Sequence, residues 1–256
     1  MTFSPSPTIL GTRVDATSYP QAITIIMNWA KSGESRCVYC ANVHMVMEAY
    51  DESSFRGLIN LADLVTPDGM PLVWVLRRKG FELKDRVYGP TLTLRLLGAA
   101  ADQGIPVGFY GSLPDVLEKL IIKIQSLFPN LRIAFQMSPP FRPLSDEEDQ
   151  QIIQDILASG TRLLFVGLGC PKQERWIAAH HGSGPLAIPA VMLGVGAAFD
   201  FHAGTLRQAP PWMQTLGLEW LFRLAMEPRR LWLRYLKHNP RFMVLVLREL
   251  FSKSIP

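Results

Sequence analysis

One stretch of the chain, residues 163–176, reads Leu-Leu-Phe-Val-Gly-Leu-Gly-Cys-Pro-Lys-Gln-Glu-Arg-Trp. Its apolar start predicts a strand, and the Gly-x-Gly-x-Pro sequence that follows predicts a turn into a helix. Glycines let backbone N–H groups approach an anion, and a helix N-terminus adds unpaired donors and a positive dipole end. The stretch therefore predicts a phosphate site at Gly169 and Pro171, with Lys172 and Gln173 at its mouth. A strand-to-helix turn without a ligand explains the same residues, so the motif alone does not decide.

Apolar, strand-like runs alternate with helix patterns along the first 200 or so residues. The runs cover residues 37–41, 63–66, 106–110, 131–136, 162–167 and 187–194. Strands that alternate with helices are typical of a parallel sheet covered by helices on its faces. The sequence therefore predicts an α/β fold, a Rossmann-like, mostly parallel sheet wrapped by helices.

Two helix starts carry the spacing of a capping box. Ser112 with Asp115 predicts a helix from about Leu113, and Ser145 with Glu148 predicts one from about residue 146. The acidic run at residues 146–149 falls in the first turn of the second helix, where it complements the helix dipole. We interpret that run as a solvated helix start and not as a metal site.

Length, composition and cysteine use exclude several classes of protein. A chain of 256 residues with 48% hydrophobic residues can form one α/β domain plus an appendage. Three cysteines argue against a disulfide framework, and Cys37 and Cys40 lack the second ligand pair of a zinc site, so we expect small core residues. Residues 1–11 lack the basic and apolar regions of a signal peptide, which predicts a cytoplasmic protein. Residues 176–199, the longest stretch without Asp, Glu, Lys or Arg, are broken by glycine and proline and predict a loop plus a core strand.

Positive charge is concentrated in the C-terminal part of the chain. Residues 207–256 contain nine Lys/Arg and three Asp/Glu, whereas residues 1–206 contain 17 and 19. Glycine and prolines at 204–211 predict a boundary between a catalytic domain (1–206) and an appendage (207–256), and Pro228 and Pro240 are expected to cut that appendage into short helices. Its basic residues include Arg223, Arg229, Arg230 and Arg234, at near-helical spacings, interleaved with Trp212, Trp220, Trp232, Tyr235 and Phe242. This composition predicts docking on an anionic membrane surface.

Several motifs together resemble one known family. Asn42 ends the first strand-like run, and Thr-Pro-Asp-Gly-Met-Pro-Leu-Val-Trp follows at 66–74. Gly-Val-Gly-Ala-Ala-Phe-Asp-Phe stands at 194–201, Glu-Trp-Leu-Phe-Arg-Leu at 219–224 and Glu-Pro-Arg-Arg at 227–230. In this order the motifs resemble the WecG/TagA/CpsF family of bacterial glycosyltransferases, glycosyltransferase family 26, from about the first helix to about Tyr235.

The resemblance implies an inverting, metal-independent transferase and a set of site residues. Asp68 follows a strand in a Pro-Asp-Gly turn, which places it at the carboxyl edge of the sheet, and it matches the family's proposed catalytic base. An aspartate that bonds its own turn is the alternative. By resemblance Asn42 and Arg86 also belong to the active site, together with Gln173, and Asn42 is also a candidate helix N-cap. The chain has no Asp-x-Asp pair, and its five histidines show no metal spacing, so no metal or other cofactor is expected.

Further residues are predicted to bind the donor. Tyr110 and Gly111 end a strand before the helix predicted near Leu113, and they offer a second anion-ready turn for the uridine side, although a plain connection is about equally consistent. In the family the segment with Gly194, Gly196, Phe199 and Asp200 lines the nucleotide pocket. Two departures from the family pattern leave local contacts open: Cys40 in place of a common threonine, and Gly-Pro-Thr-Leu at 89–92.

The resemblance implies a UDP-sugar donor and a polyprenyl-diphosphate-linked acceptor at the inner face of the cytoplasmic membrane. The appendage would bind the membrane and help to close the site, and its four arginines would contact phosphate. The donor sugar stays open among N-acetylmannosamine, its uronic acid, glucose and other hexoses. Alternatives are a nonenzymatic nucleotide-sugar sensor and, from the incomplete glycine fingerprint at 194–199, a nicotinamide-dependent oxidoreductase. The apolar run at 242–247 disfavours a nucleic-acid binder and leaves oligomer formation open.

Overall fold

The computed structural model describes residues 7–184 and 186–252. The strands are β1 (Thr8–Ile9), β2 (Thr12–Arg13), β3 (Arg36–Ala41), β4 (Leu64–Pro67), β5 (Val107–Gly111), β6 (Ile133–Met137), β7 (Leu163–Gly167) and β8 (Val191–Gly194). The helices are α1 (Tyr19–Ser32), α2 (Val43–Asp51), α3 (Ser53–Asn60), α4 (Met70–Arg78), α5 (Gly89–Gln103), α6 (Pro114–Leu127), α7 (Asp146–Ser159), α8 (Lys172–Ala179), α9 (Ala198–Ala203), α10 (Pro211–Thr215), α11 (Glu219–Met226) and α12 (Pro228–Ser252). All six predicted strand runs are strands, β3 to β8.

Strands β3 to β8 form one sheet in the order β4-β3-β8-β7-β5-β6, and every neighbouring pair is parallel. This confirms the predicted Rossmann-like α/β fold. The carboxyl ends of parallel strands meet at one edge of the sheet, which is where ligands bind in such folds. The segments after β3, β4, β7 and β8 therefore come together, although they are far apart in the sequence. The short antiparallel pair β1 and β2 lies outside this sheet and was not predicted.

The sheet is buried on both faces, as the nearly continuous apolar character of its strands requires. Along β3, Val38 belongs to one apolar cluster and Tyr39 to the other, because successive side chains of a strand point to opposite faces. Helices α1, α5, α6 and α9 cover one face, and α2, α3, α4, α7 and α8 cover the other. The free thiols of Cys37 and Cys40 are buried in these clusters, as predicted for small core residues.

The two predicted capping boxes have different outcomes. At α7 the Ser145 hydroxyl accepts from Glu148 N–H and the Glu148 carboxylate accepts from Ser145 N–H, which confirms that box. At α6 the predicted helix start near Leu113 is confirmed, but the predicted capping box is wrong: Leu113 is the N-cap, and Ser112 has a left-handed backbone with φ of 63°. Ser112 N–H instead donates to the Gly167 carbonyl of the neighbouring strand, 3.0 Å away, so a tertiary contact sets its conformation.

Residues 176–199 include the predicted loop and core strand, β8, and in addition the second half of α8 and the start of α9. Within residues 7–184 and 186–252, no helix combines the length and the apolar character needed to cross a membrane. The prediction that residues 1–11 are not a signal peptide concerns, in part, residues 1–6, which lie outside the described residues.

The appendage consists of α10, α11 and a long α12. Pro228 begins α12 as expected, but Pro240 lies inside that helix, so the prediction that Pro240 ends a helix was wrong. Phe242 and Val246, beyond the proline, are buried in the same cluster as residues of α2 and α4. This packing holds the helix together across a residue that cannot donate a backbone hydrogen bond. The boundary at 206/207 stays a prediction.

Candidate active site

A cavity of about 580 Å³ lies between the carboxyl edge of the sheet and the appendage. Ten residues predicted from the sequence line it: Asn42, Asp68, Arg86, Gly169, Gln173, Gly194, Gly196, Arg223, Arg230 and Arg234. They follow four different strands or belong to the appendage, so the fold brings together motifs from the whole length of the chain.

Asp68 stands directly after β4, where its backbone N–H donates to the Ala41 carbonyl of the neighbouring strand at 2.8 Å. Its carboxylate oxygen Oδ1 accepts a short hydrogen bond from the Gly89 N–H. The carboxylate is thus held by a segment 21 residues away, unlike the turn aspartate of the alternative interpretation. Burial raises the pKa of Asp68 to about 7, although the positive charge of Arg86 and the hydrogen bond from Gly89 lower it. Asp68 can therefore exchange a proton near neutral pH.

Arg86 is 7% exposed and is positioned largely by the appendage. Its Nη1 donates to Glu219 Oε2 and its Nη2 to Gln214 Oε1, both at 2.8 Å. The guanidinium carbon lies 3.9 Å from the centre of the Tyr88 ring, and the Tyr88 hydroxyl donates to Glu219 Oε1 at 3.0 Å. Arg86 Nη1 also contacts the Asp68 carbonyl at 3.3 Å. Glu219 therefore links the appendage to two side chains of the cavity and to the loop of Asp68.

Asn42 is the N-cap of α2, as predicted, because its side-chain oxygen accepts from Met45 N–H at 3.1 Å. Asn42 also lines the cavity, so its capping role leaves it close to any ligand. Cys40, one departure from the family pattern, lies beside Gly89, which begins the Gly-Pro-Thr-Leu run: a Cβ placed on Gly89 would lie 3.4 Å from Cys40 Sγ and 3.3 Å from Asp68 Oδ1. The hydrogen bond to Asp68 is donated by the backbone N–H of Gly89, so it does not require a particular side chain at residue 89.

Gln173 lies deeper than the sequence indicated. It is 3% exposed, and its Oε1 accepts from Gly169 N–H at 3.2 Å and from Gly196 N–H at 3.1 Å. Its Nε2 donates to Glu174 Oε1 at 2.8 Å, and burial raises the pKa of Glu174 to about 7. Gln173 therefore joins the glycine turns after β7 and β8 at the base of the cavity. Two backbone donors expected to meet a phosphate are bonded to this carboxamide.

Three arginines of the appendage line the cavity: Arg223, Arg230 and Arg234. The carboxylate of Glu227 lies 3.6 Å from Arg223 Nη2 and 2.6 Å from Arg230 Nη1. The buried Nε of Arg223 has no hydrogen-bond partner in the described part of the chain. These side chains form a positively charged wall opposite the sheet edge, suited to an anionic ligand.

Seven predicted residues are not part of the cavity lining: Tyr110, Gly111, Pro171, Lys172, Phe199, Asp200 and Arg229. Tyr110 packs on Trp176 with ring centres 4.6 Å apart, and Phe199 is fully buried. A Cβ on Gly111 would lie 2.6 Å from the Gly167 carbonyl carbon, so this glycine serves strand packing. Lys172 places its Nζ 5.3 Å from the centre of the Phe141 ring and is not among the residues that line the cavity.

Other lining residues were not predicted as site residues. Glu219 begins the Glu-Trp-Leu-Phe-Arg-Leu motif, which could have identified it, whereas Tyr88 carries no sequence signal. His44 and His238 also line the cavity and lie near Glu48. The four-residue spacing of His44 and Glu48 was the signal in the sequence for this group, whereas the approach of His238 depends on the fold.

Comparison with known proteins agrees with the motifs. The sequence model of the family described as "Glycosyl transferase WecG/TagA/CpsF family" matches residues 7–255. A relative from Bacillus subtilis (strain 168) is named N-acetylglucosaminyldiphosphoundecaprenol N-acetyl-beta-D-mannosaminyltransferase. It is 30% identical to this chain over 216 residues, which is 83% of this chain and 79% of the relative. With the parallel sheet and the shared motifs, these matches establish that the chain belongs to the WecG/TagA/CpsF family of glycosyltransferases.

Proposed function

We propose that this glycosyltransferase moves a sugar from a UDP-sugar to a polyprenyl-diphosphate-linked saccharide, with inversion and without a catalytic metal ion. One observation carries the proposal: a single cavity combines the Asp68 carboxyl, whose pKa is raised to about 7, with three arginines. A base and a cationic wall are the two components that displacement of a nucleoside diphosphate requires.

Asp68 is the base in this proposal. As the acceptor hydroxyl oxygen forms a bond to the anomeric carbon, its proton passes to the Asp68 carboxylate and the bond from that carbon to the UDP oxygen breaks. Attack from the face opposite the leaving group inverts the anomeric centre. A pKa of about 7 suits the step, because such a carboxylate is a stronger base than a solvated one and is still substantially ionised at neutral pH.

The arginines Arg223, Arg230 and Arg234 stabilise the departing diphosphate. Guanidinium groups bind phosphate oxygens in a bidentate manner, which supports a leaving group that carries its charge on several oxygens. The Glu227 carboxylate pairs with both Arg223 and Arg230 and holds their guanidinium groups on the same side of the cavity. The Gln173 carboxamide shapes the base of this pocket by joining its two glycine turns.

In this proposal the appendage binds both the acceptor and the membrane. Large apolar side chains lie exposed on α10 to α12, among them Trp212 (60% exposed), Trp232 (49%), Leu236 (67%) and Phe251 (70%). Exposed apolar residues beside arginines suit insertion into the interfacial region of an anionic leaflet. This supports peripheral attachment to the inner face of the cytoplasmic membrane, where the lipid-linked acceptor presents its diphosphate.

The name of the Bacillus subtilis relative favours N-acetylmannosamine as the transferred sugar and a polyprenyl-diphosphate-linked N-acetylglucosamine as the acceptor. The test is release of UDP from a panel of UDP-sugars with and without such an acceptor analogue, comparing the native chain with Asp68→Asn. Acceptor-dependent release by the native chain alone is the expected result. Equal release by both proteins would place the base elsewhere. Tight UDP binding without release for every donor and acceptor would favour a nucleotide-sugar sensor.

A further inference from the structure

Two histidines and one glutamate meet where α12 packs on α2. His44 and Glu48 lie one turn apart on α2, and His44 Nδ1 is 3.7 Å from Glu48 Oε1. His238 of α12 places its Nε2 3.2 Å from the same oxygen. The side chains of His44 and His238 are 15% and 4% exposed, so both imidazoles are largely shielded from bulk solvent and face the cavity. The three potential ligand atoms lie within 4.8 Å of one another.

One ring nitrogen of His44 is buried and has no hydrogen-bond partner in the described part of the chain. This atom, Nδ1, lies 3.7 Å from Glu48 Oε1. When the proton of a neutral imidazole is on Nε2, Nδ1 presents a lone pair, and a cation between that lone pair and the carboxylate would satisfy both. The described residues contain five buried side-chain polar atoms without a partner, and two are the Nδ1 atoms of His44 and His238; in His238 the other ring nitrogen, Nε2, is the one that faces Glu48.

We propose that His44, Glu48 and His238 bind a divalent transition-metal ion of the Zn²⁺ class. A tetrahedral site with bonds of about 2.0 Å separates its ligands by about 3.3 Å, close to the 3.7 and 3.2 Å measured to Glu48 Oε1. Both histidines line the cavity, so the fourth position is open to water or to an oxygen of the cavity's ligand.

The chemistry of the cluster selects the kind of metal. It offers two imidazoles and one carboxylate, whereas Mg²⁺ and Ca²⁺ prefer several oxygen ligands. Arg234 and Lys237 add positive charge near His44, and the Lys237 ammonium lies 3.4 Å from Asp51. A cation held mainly by charge is disfavoured in this environment, while one that bonds strongly to nitrogen is retained. The ion would tie α12 to α2, and Asp68 is not one of its proposed ligands, so the site is compatible with metal-independent transfer.

A second cluster provides a matched control. Cys37, Asp63 and His181 also lie close enough for three ligand atoms to converge. There Asp63 Oδ1 accepts from Arg36 Nη1 at 2.7 Å, and Asp63 Oδ2 accepts from Cys37 N–H at 2.8 Å and lies 3.0 Å from His181 Nε2. Both carboxylate oxygens already have donors within the protein. We expect this cluster to bind no metal, and His181→Gln removes one histidine without touching the proposed site.

The experiment titrates the chelator-treated full chain with Zn²⁺ in competition with a chromophoric chelator, and follows thermal unfolding in parallel. Native protein and His181→Gln should each bind one Zn²⁺, whereas His238→Gln and Glu48→Gln should bind it at least about 100-fold more weakly. At a hundredfold excess over the dissociation constant, Zn²⁺ should raise the midpoint of unfolding by about 5 to 10 °C in the native chain and in His181→Gln, but not in His238→Gln or Glu48→Gln.

Each other outcome overturns the proposal. No competitive Zn²⁺ binding by the native chain would show that the three side chains are only a hydrogen-bonded cluster. Equal binding by native protein and Glu48→Gln, whose partly exposed side chain makes misfolding a minor concern, would place the metal elsewhere. Loss of binding in His181→Gln alone would assign the metal to the Cys37 cluster.

Discussion

The substitution Asp68→Asn is expected to make the folded protein more stable at pH 8 while it removes transferase activity. The pKa of Asp68 is raised from 3.8 to about 7 in the folded protein. At 1.36 kcal/mol per pKa unit this shift corresponds to about 4 kcal/mol, and partial exposure to water in the cavity lowers our expectation to about 2 to 4 kcal/mol. Asparagine keeps an oxygen that can accept from the Gly89 N–H, so the variant loses the charge and retains the shape.

The sign of the effect follows from proton binding. The folded state holds the Asp68 proton more tightly than the unfolded state, so stability falls as the pH rises from about 3.8 to about 7. The asparagine variant lacks this loss, and its advantage should grow by about 1 to 3 kcal/mol between pH 5 and pH 8. Loss of a general base should lower kcat by about 10²- to 10⁴-fold.

Urea unfolding of the native chain and the variant at both pH values measures the difference. Asp102→Asn, at an exposed position of α5, is the control for loss of a carboxylate and should change little at either pH. If Asp68→Asn is no more stable than the native chain at pH 8, or if its advantage does not change with pH, the inference that burial raises this pKa is refuted.

Three further predictions test the contacts around the cavity. Glu219→Gln removes the charged partner of Arg86 and should lower kcat/KM by about tenfold or more, since such a hydrogen bond contributes about 1.5 to 3 kcal/mol; unchanged kinetics would contradict this role. Gly194→Ala places a Cβ 3.1 Å from the buried amide nitrogen of Gln173 and should lower the free energy of unfolding in urea by about 1 to 3 kcal/mol. Gly184→Ala, where a Cβ would meet open space, is the control and should not lower it. Trp232→Ser should weaken binding to vesicles of anionic lipid roughly tenfold in a sedimentation assay, because burial of a large apolar side chain contributes about 1.5 to 3 kcal/mol; equal binding would exclude this residue from the membrane contact.

Much of the sheet was predictable because its signals are local. Runs such as residues 162–167 are apolar enough to be buried on both faces, and glycine or proline ends them. The capping box of Ser145 was also predictable, since all its atoms belong to four consecutive residues. The capping box predicted at Ser112 does not form, because a hydrogen bond to the neighbouring strand fixes the backbone conformation of Ser112. The prediction that Pro240 ends a helix was also wrong for a tertiary reason, because packing of α12 against the core outweighs the preference of proline for a helix end.

In the active site, too, the features that depend on neighbouring residues were predictable and those that depend on distant contacts were not. Asp68, Asn42 and the glycine turns could be placed at the sheet edge because each follows a strand directly, and a parallel sheet collects such positions. The partner of Arg86, the buried position of Gln173 and the meeting of His44 with His238 depend on contacts across 23 to 194 residues of chain. The sequence by itself determined the strands, the turns after them and the charge of the appendage, since these depend on neighbouring residues. Only the tertiary structure decided which side chains pair within the cavity, because packing of α10 to α12 against the sheet edge selects their partners.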